Sequence, residues 1–537
     1  MRQQPAPPTL QPGAPQTIVP QAPAEQPAID DAGPTVLVKG FRITGATLIP
    51  EAELLAQIEG AIGQELTLEQ LRALALQLTG YYIQKGYLAR AHLPPQEVQD
   101  GIITIEIIEG KRGNIDIDEQ SERINTARVQ GFVDHRLAQG EAMSLIKLGE
   151  GLAILNEQPG VDASAGIRPG ASEGDIDVVV TIQDKPLANY NASFNNNGSR
   201  STGVPQANGS VVFNNPFGLF DAASLLVNVS QGTRYARGEY AIAVGESGLR
   251  AGANASYMKY NVTQKSLSAL DSHGMAATLG LIASYPLTRR TDFSLSVNGG
   301  IDHKILRDYT SAGETGDRKV NVMNAGVSGT STDAFLGGGK NGFGLTLTAG
   351  KADLSGNADA LASDLATRKT DGGFAKAGFQ LSRLQPLSEA WMVSASLSGQ
   401  LSAVNLDSTE QFSLGGPSGV RGYPAGEASG DDGWLGSVNF VHSFSKTLSA
   451  GPFVDVGGVR VNHNAYDGWK SGNARLSNTY MLKSGGVSAN WAVAENWTIN
   501  ATLAAPIGAN PGRDTDGKDG DGRSLNMRGW FGVTAQF

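Results

Sequence analysis

From residue 187 to the end of the chain, apolar and polar residues alternate with a period of two. Phe293, Leu295, Val297, Gly299 and Ile301 interleave with Ser294, Ser296, Asn298 and Gly300. Trp391, Val393, Ala395 and Leu397 interleave with Ser394, Ser396 and Ser398, and Trp497, Ile499, Ala501 and Leu503 with Thr498, Asn500 and Thr502. Successive side chains of a strand point to opposite faces, so each segment has one apolar and one polar face. Several segments exceed the roughly 9–11 residues that a tilted strand needs to cross a bilayer, and are longer than the ~5–6 residues usual in globular sheets. No apolar run of about 20 residues is present. That excludes a membrane-spanning helix, but not a barrel, in which only alternate residues meet lipid.

Loop lengths sharpen the reading. Short connections fall near 215–220, 245–248, 287–290, 335–340, 385–390, 444–449 and 494–496. Long ones fall near 261–273, 306–319, 352–370, 404–432, 460–478 and 507–523, with modest ones near 198–205 and 232–236. Short turns at one end and long loops at the other mark an outer-membrane barrel. The spacing predicts a transmembrane β-barrel of about sixteen antiparallel strands over 187–537, the last running from Leu525 to Phe537. A barrel of this size encloses an aqueous channel. An even strand number puts both barrel ends on the short-turn, periplasmic side.

Upstream the periodicity is helical. Residues 1–34 are rich in Pro, Gln and Ala, from Pro5 to Pro34, and are expected to form an extended tether. They lack a basic-then-apolar leader, so the chain is read as a processed form with its signal removed. Residues 35–112 and 113–185 each predict a small α/β domain in the order strand, helix, helix, strand, strand. In the first, Val36 to Ile43 opens as a strand and Pro50 starts a short helix. Thr67 to Gln70 is a capping box, and Leu68, Leu71, Ala75, Leu78 and Tyr82 share the buried face of a second helix. Ile103, Ile105 and Ile107 share one strand face. In the second domain, Leu145, Leu148, Leu152 and Leu155 mark a helix that stops before Pro159.

One connection is unlike the others. The 404–432 segment is too long for a hairpin and carries Val420, Arg421, Gly422 and Tyr423. Downstream, Phe453 to Gly457 reads as a strand with Val454 and Val456 on one face and Asp455 on the other. With the valines toward lipid, Asp455 enters the lumen, where an inward-folded loop brings Arg421 to it. In a wet lumen such a pair adds little by Coulomb attraction, so its expected role is to fix the loop's position.

These fragments, in this order and at this distance from the C-terminus, resemble those of the outer-membrane transporters of two-partner secretion, the TpsB family of ShlB/FhaC type. The resemblance covers residues 35–537, with two POTRA domains at 35–112 and 113–185. It rests also on Tyr82 to Tyr87, on Pro159-Gly160-Val161 followed by Pro169-Gly170, and on the terminal aromatic Phe537, which resembles the signal that barrel-assembly machinery reads. It implies a pore, set in outer-membrane lipid, that secretes an unfolded partner exoprotein without nucleotide energy, the POTRA domains recognising the cargo. It implies no cofactor and no enzymatic step. Some members close the pore with an N-terminal amphipathic helix, which the prolines of 1–34 do not favour. An assembly factor of the same superfamily is the alternative, although that branch usually has more POTRA domains; a diffusion porin would leave both small domains without a purpose.

Rival motifs are weaker. Gly170 to Gly174 matches the G-x-S-x-G pattern of serine hydrolases but falls between strands, not at a strand-to-helix elbow. Asp514, Asp516, Asp519 and Asp521 have calcium-like spacing in the last long loop, without the closing glutamate. Gly337 to Lys340 lacks the frame of a phosphate loop. The six histidines form no H-x-x-x-H pattern, and a net charge of −10 argues against a nucleic-acid groove.

Overall fold

A computed structural model of the chain describes residues 18–20, 33–121, 123–471, 473 and 475–537. The tether expected at 1–34 therefore falls outside the described residues, save 18–20, 33 and 34.

The first small unit contains β2 (Gly40–Thr44), α1 (Glu51–Ile58), α2 (Leu68–Gln84), β3 (Ala89–His92) and β4 (Ile102–Glu109); β1 is the short strand Ile18–Pro20 upstream. The expected opening strand is interrupted: Thr35–Leu37 pairs separately with Glu65–Thr67. β2 runs parallel to β4, and β3 antiparallel to it. The Thr67 hydroxyl accepts from the Gln70 N–H, and Gln70 Oε1 accepts from the Thr67 N–H, so the capping box forms. Ala75, Leu78 and Tyr82 pack on Ile43, Ile105 and Ile107, while Leu71 packs with Ile103. Leu68 does not join this face and is exposed; Leu66, on the strand leading into the helix, fills that end of the core instead.

Glu109 closes this unit. Its carboxylate accepts from the N–H groups of Thr47 and Leu48 at 2.7 and 2.8 Å, and from Tyr82 Oη at 2.8 Å. Burial alone would raise its pKa, but these bonds and the Thr47 hydroxyl outweigh that and hold it below the ordinary glutamate range. A depressed carboxylate stabilises fully above its unfolded pKa of about 4.3, and this contribution disappears as pH falls through the lower folded value. The first unit's melting temperature, followed by calorimetry, should drop on acidification below about pH 4, and Glu109→Gln should flatten that decline. An equally steep acid limb in the variant would contradict this role.

The second unit repeats the plan: β5 (Lys111–Gln120), α3 (Thr126–Arg136), α4 (Leu145–Asn156), β6 (Val161–Pro169) and β7 (Asp175–Asp184). β5 runs parallel to β7 and β6 antiparallel to it. β5 begins two residues before the expected boundary. The units are stitched directly: Gly110 N–H donates to Leu88 O at 2.8 Å, and Met143 N–H to Gly110 O at 2.7 Å. The outer edge of β6 carries β1 in parallel, with Ile18 opposite Ala165.

Sixteen antiparallel strands then close a barrel. They are β8 (Ala188–Asn195), β9 (Gln206–Asn214), β10 (Ala222–Ser230), β11 (Thr233–Ala243), β12 (Arg250–Asn261), β13 (His273–Arg289), β14 (Phe293–Thr310) and β15 (Gly313–Asp333). The ring continues with β16 (Gly339–Asp353), β17 (Gly372–Pro386), β18 (Trp391–Ser402), β19 (Asp432–Ser443), β20 (Leu448–Arg460), β21 (Thr479–Ala494), β22 (Trp497–Pro506) and β23 (Arg528–Gln536). β23 pairs with β8 to close the ring, Asn191 opposite Gln536. Leu279, Ile301, Met323 and Leu347 stand exposed on the outer face, as strands embedded in lipid require.

Three expectations fail here. The modest connection expected near 232–236 is a tight turn, because β10 runs to Ser230 and β11 already pairs with β12 from Thr233. The connection near 306–319 is not a long loop: β14 and β15 stay paired to Thr310 and Gly313, because the ladder continues through Asp308 opposite Gly316. The last strand starts at Arg528, not Leu525, because its ladder with β22 ends at Ala504, with no partner for Leu525 to Met527.

The second unit docks on the short-turn end of the barrel. Phe220, between β9 and β10, enters its core and meets Phe132 edge-on at 5.5 Å. Arg128 donates to the carbonyls of Leu219, Ala243 and Gly245, and Arg136 to that of Pro286. Arg250 of β12 donates back to Gln158.

Candidate functional site

The 404–432 connection runs from β18 to β19 and folds into the barrel. Its own arms pair at Phe412–Ser413 and Ser429–Gly430. Phe412, Leu414, Val420, Tyr423 and Ala428 are buried with Leu435, Val459 and Leu482 of β19, β20 and β21. Fully burying a side chain of this size is worth roughly 1.5–3 kcal/mol, so the apolar residues account for the inward course of a loop that also carries many polar ones.

Arg421 sits at the tip. Its Nε and Nη2 donate to the two oxygens of Asp455 at 3.0 and 2.7 Å, and its backbone N–H donates to Asp455 Oδ2 at 3.0 Å. Ser437 and Ser484 donate to the same carboxylate at 2.8 and 3.0 Å. Arg421 Nη2 also donates to Asn439 at 2.9 Å, and its guanidinium lies 3.3 Å from the centre of the Phe453 ring. From β23, Trp530 Nε1 donates to the Arg421 carbonyl at 2.8 Å. Val454 is exposed on the opposite face of β20.

Glycine is needed at two contacts. A Cβ on Gly422 would come within 2.8 Å of Ser484 Cβ and 2.9 Å of Pro506 N, and one on Gly457 within 2.5 Å of Leu414. The strand motif therefore makes room for the loop motif.

One expectation changes. The pair does not lie in open water: Asp455 is 0 % and the Arg421 side chain 13 % exposed, because the loop covers its own anchor. A buried carboxylate bonded bidentately and by two serines differs from a screened surface pair. Removing one partner of such a pair costs about 3–5 kcal/mol.

The sequence reading missed the rest of the loop's attachments. Asp407 accepts from Arg318 Nη1 at 2.6 Å, and Glu410 from Lys304 and Lys376 at 2.5 and 2.9 Å. Asp431 accepts from the N–H groups of Leu406 and His463 at 3.1 and 2.9 Å. Glu427 accepts from Asn510 at 2.7 Å and from Gly520 N–H at 2.6 Å. The available signal was the placement of Lys304, Arg318 and Lys376 at inward positions of their strands. Ser437 and Ser484 could have been found by register, since each lies directly opposite Asp455.

The calcium candidates do not converge. Asp519 and Asp521 are paired with Arg528 at 3.1 and 2.8 Å, and Asp519 also with Arg513 at 3.0 Å. Asp514 instead accepts from the N–H groups of Asp516 and Lys518 in its own turn. Among the described residues no three acidic or histidine side chains gather as a cation site. Gly170 to Gly174 forms the β6–β7 connection, with Ser172 exposed and no helix following. Phe537 lies at the barrel seam, its N–H donating to Tyr190 O at 2.9 Å and its ring meeting Trp497 edge-on.

Comparison with known proteins agrees with this architecture. The family described as haemolysin secretion/activation protein ShlB/FhaC/HecB matches residues 174–475, and the ShlB-type POTRA domain matches residues 36–110. The chain is 27 % identical over 467 residues to the heme/hemopexin transporter protein HuxB of Haemophilus influenzae (strain 86-028NP), covering 85 % of this chain and 81 % of that protein. It is 26 % identical over 502 residues to the hemolysin transporter protein ShlB of Serratia marcescens, covering 90 % of this chain and 86 % of that one. The solved structure of CdiB from Escherichia coli superposes with a TM-score of 0.70 at 23 % identity, covering 98 % of this chain and 94 % of that one, a likeness of fold. With its sixteen-strand barrel, its POTRA region and a family match over more than half its length, the chain belongs to the ShlB/FhaC/HecB haemolysin secretion/activation family, the outer-membrane transporters of two-partner secretion.

Proposed function

We propose that an unfolded partner exoprotein docks on the two small units in the periplasm, enters the lumen extended, and leaves as the 404–432 loop moves. The observation that carries this is the inward loop itself, seated at Arg421 and Asp455 inside a closed barrel. The periplasmic placement is supported by the packing of three short-turn regions, around Phe220, Gly245 and Pro286, on the second unit. Docking proceeds by strand addition, in which main-chain hydrogen bonds supply affinity. The edge of β6 suits it, since it pairs with an extended segment of the chain, Ile18–Pro20, which the incoming strand would displace.

No nucleotide-binding motif is present in the sequence, so direction comes from the passenger folding outside. In this reading Phe537 presents the C-terminal aromatic to barrel-assembly machinery, and the outward apolar residues meet outer-membrane lipid.

The chain has no cysteine, which makes a direct test simple. A cysteine at Gly166, where a Cβ would meet nothing within 4 Å, should cross-link to a cysteine in the secretion domain of the exoprotein during transport. One at Leu76, exposed on the helix α2 of the first unit, should not. Equal labelling at both positions, or none at Gly166→Cys, would move docking away from the β6 edge.

A further inference from the structure

We propose that Asp407 and Glu410 form a second, releasable clamp on the inward loop, and that Arg421 with Asp455 is the pivot that stays fixed when the clamp opens. This rests on the reading that the loop moves in transport, and adds which arm moves and what holds it.

The two attachments lie on separated parts of the wall. Glu410 is held by Lys304 of β14 and Lys376 of β17, Asp407 by Arg318 of β15, and Arg421 by Asp455 of β20. Five strands separate β14 from β20 in the ring. β14, β15 and β17 lie on one side of the loop's own strands β18 and β19, and β20 on the other, so the loop is tied to the wall on both sides of its root.

Their chemistry also differs. Arg421 is held by directional bonds: a planar fork on a carboxylate, a stacked aromatic ring, its own N–H and the Trp530 donor on its carbonyl. The Glu410 carboxylate is held by two ammonium groups, which are compact, strongly hydrated point charges on flexible stems, and its carbonyl accepts from Lys376 and from Gln400 at 2.8 and 3.0 Å. Lys304 and Arg318 keep 24 and 18 % of their side chains exposed against 13 % for Arg421, while Lys376, at 14 %, is as covered as Arg421. Lysines at the wet edge can exchange a carboxylate for water as the arm lifts. The three cations also lie toward the long-loop ends of their strands, near Thr310, Gly313 and Gly372, where a lifted arm would emerge.

Leu406 adds an apolar hold on this arm, buried among Leu306, Val320, Val322 and Phe374, beside Asn405, which donates to the Arg368 and Asn464 carbonyls at 2.7 and 2.9 Å. The apolar Leu406 side chain permits reseating after passage, while the Leu406 N–H donates to Asp431 at 3.1 Å and its carbonyl accepts from Arg368 at 3.0 Å.

The test is ion conductance of the purified full-length protein in planar bilayers, together with cellular sensitivity to a large hydrophilic antibiotic. Glu410→Gln should conduct several-fold more than the parent and sensitise cells, with secretion retained. The charge-swapped chain, Glu410→Lys with Lys304→Glu and Lys376→Glu, should return to parental conductance. Asp407→Asn gives a second, milder opening if Glu410→Gln fails to insert. Heat-modifiable mobility of each variant on gels establishes a folded barrel. Parental conductance in both Glu410→Gln and Asp407→Asn would overturn the clamp, as would a swapped chain as leaky as Glu410→Gln. Secretion by Arg421→Ala separates the two claims: its loss beside a closed Glu410→Gln retires the clamp and keeps the anchor, and its persistence retires the anchor and the clamp with it.

Discussion

Arg421→Ala is expected to leave the barrel inserted and to cut secretion of the partner exoprotein at least about tenfold, given that about 1.4 kcal/mol is a factor of ten in any equilibrium. The substitution strips Asp455 of its guanidinium while the carboxylate stays fully buried, with two serine hydroxyls and the backbone N–H of residue 421 left to it but no positive charge. Breaking such a pair from one side costs about 3–5 kcal/mol, enough to unseat the loop from most molecules. The barrel ladder does not involve the Arg421 side chain, so heat-modifiable mobility and surface level should match the parent. Arg421→Lys should rescue little, because an ammonium cannot reproduce the fork on both carboxylate oxygens. Parental secretion by the alanine variant at equal surface level would remove the role assigned to the pair.

Phe220→Ala is the second large effect. The ring is fully buried in the core of the second small unit although it belongs to a barrel turn. Phe to Ala in a packed core costs about 3–5 kcal/mol, and here the loss falls on the joint between two bodies. Phe220 also holds a left-handed backbone, φ 55°, and alanine would relieve none of that strain. The variant barrel should stay folded while limited proteolysis cuts more readily between the second unit and β8, with secretion reduced. A parental digestion pattern would mean that the Arg128 and Arg136 hydrogen bonds to the turns hold the joint without the ring.

The barrel was legible because a strand period of two and alternating loop lengths are local properties that survive without knowledge of any partner. Helix α2 was legible for the same reason, through its capping box and buried stripe. Where the reading failed, the cause was non-local. Leu68 fits the helical stripe, but Leu66 occupies the space it would fill. Residues 306–319 look polar enough for a loop, yet two long strands can stay paired beyond the bilayer and remain polar on both faces. Arg421 and Asp455 could be matched chiefly because their fragments resemble those of a known family, helped by the tight-turn residues around one and the alternating valines around the other. Their burial could not, since it is produced by the same loop closing over them. Lys304, Lys376 and Arg318 read as ordinary pore-lining charges until the loop brings Glu410 and Asp407 to them.

The most direct test of the account asks whether the exoprotein travels through the inside of this barrel. A secretion intermediate stalled by a folded block at its trailing end can be probed with single cysteines on either face of the wall. Ser256 is turned inward and half-buried, while Leu279, on the neighbouring strand β13, is turned outward and exposed. The stalled chain should cross-link to Ser256→Cys and not to Leu279→Cys. Cross-linking at Leu279→Cys alone would place the passenger at the lipid face and contradict a lumenal route.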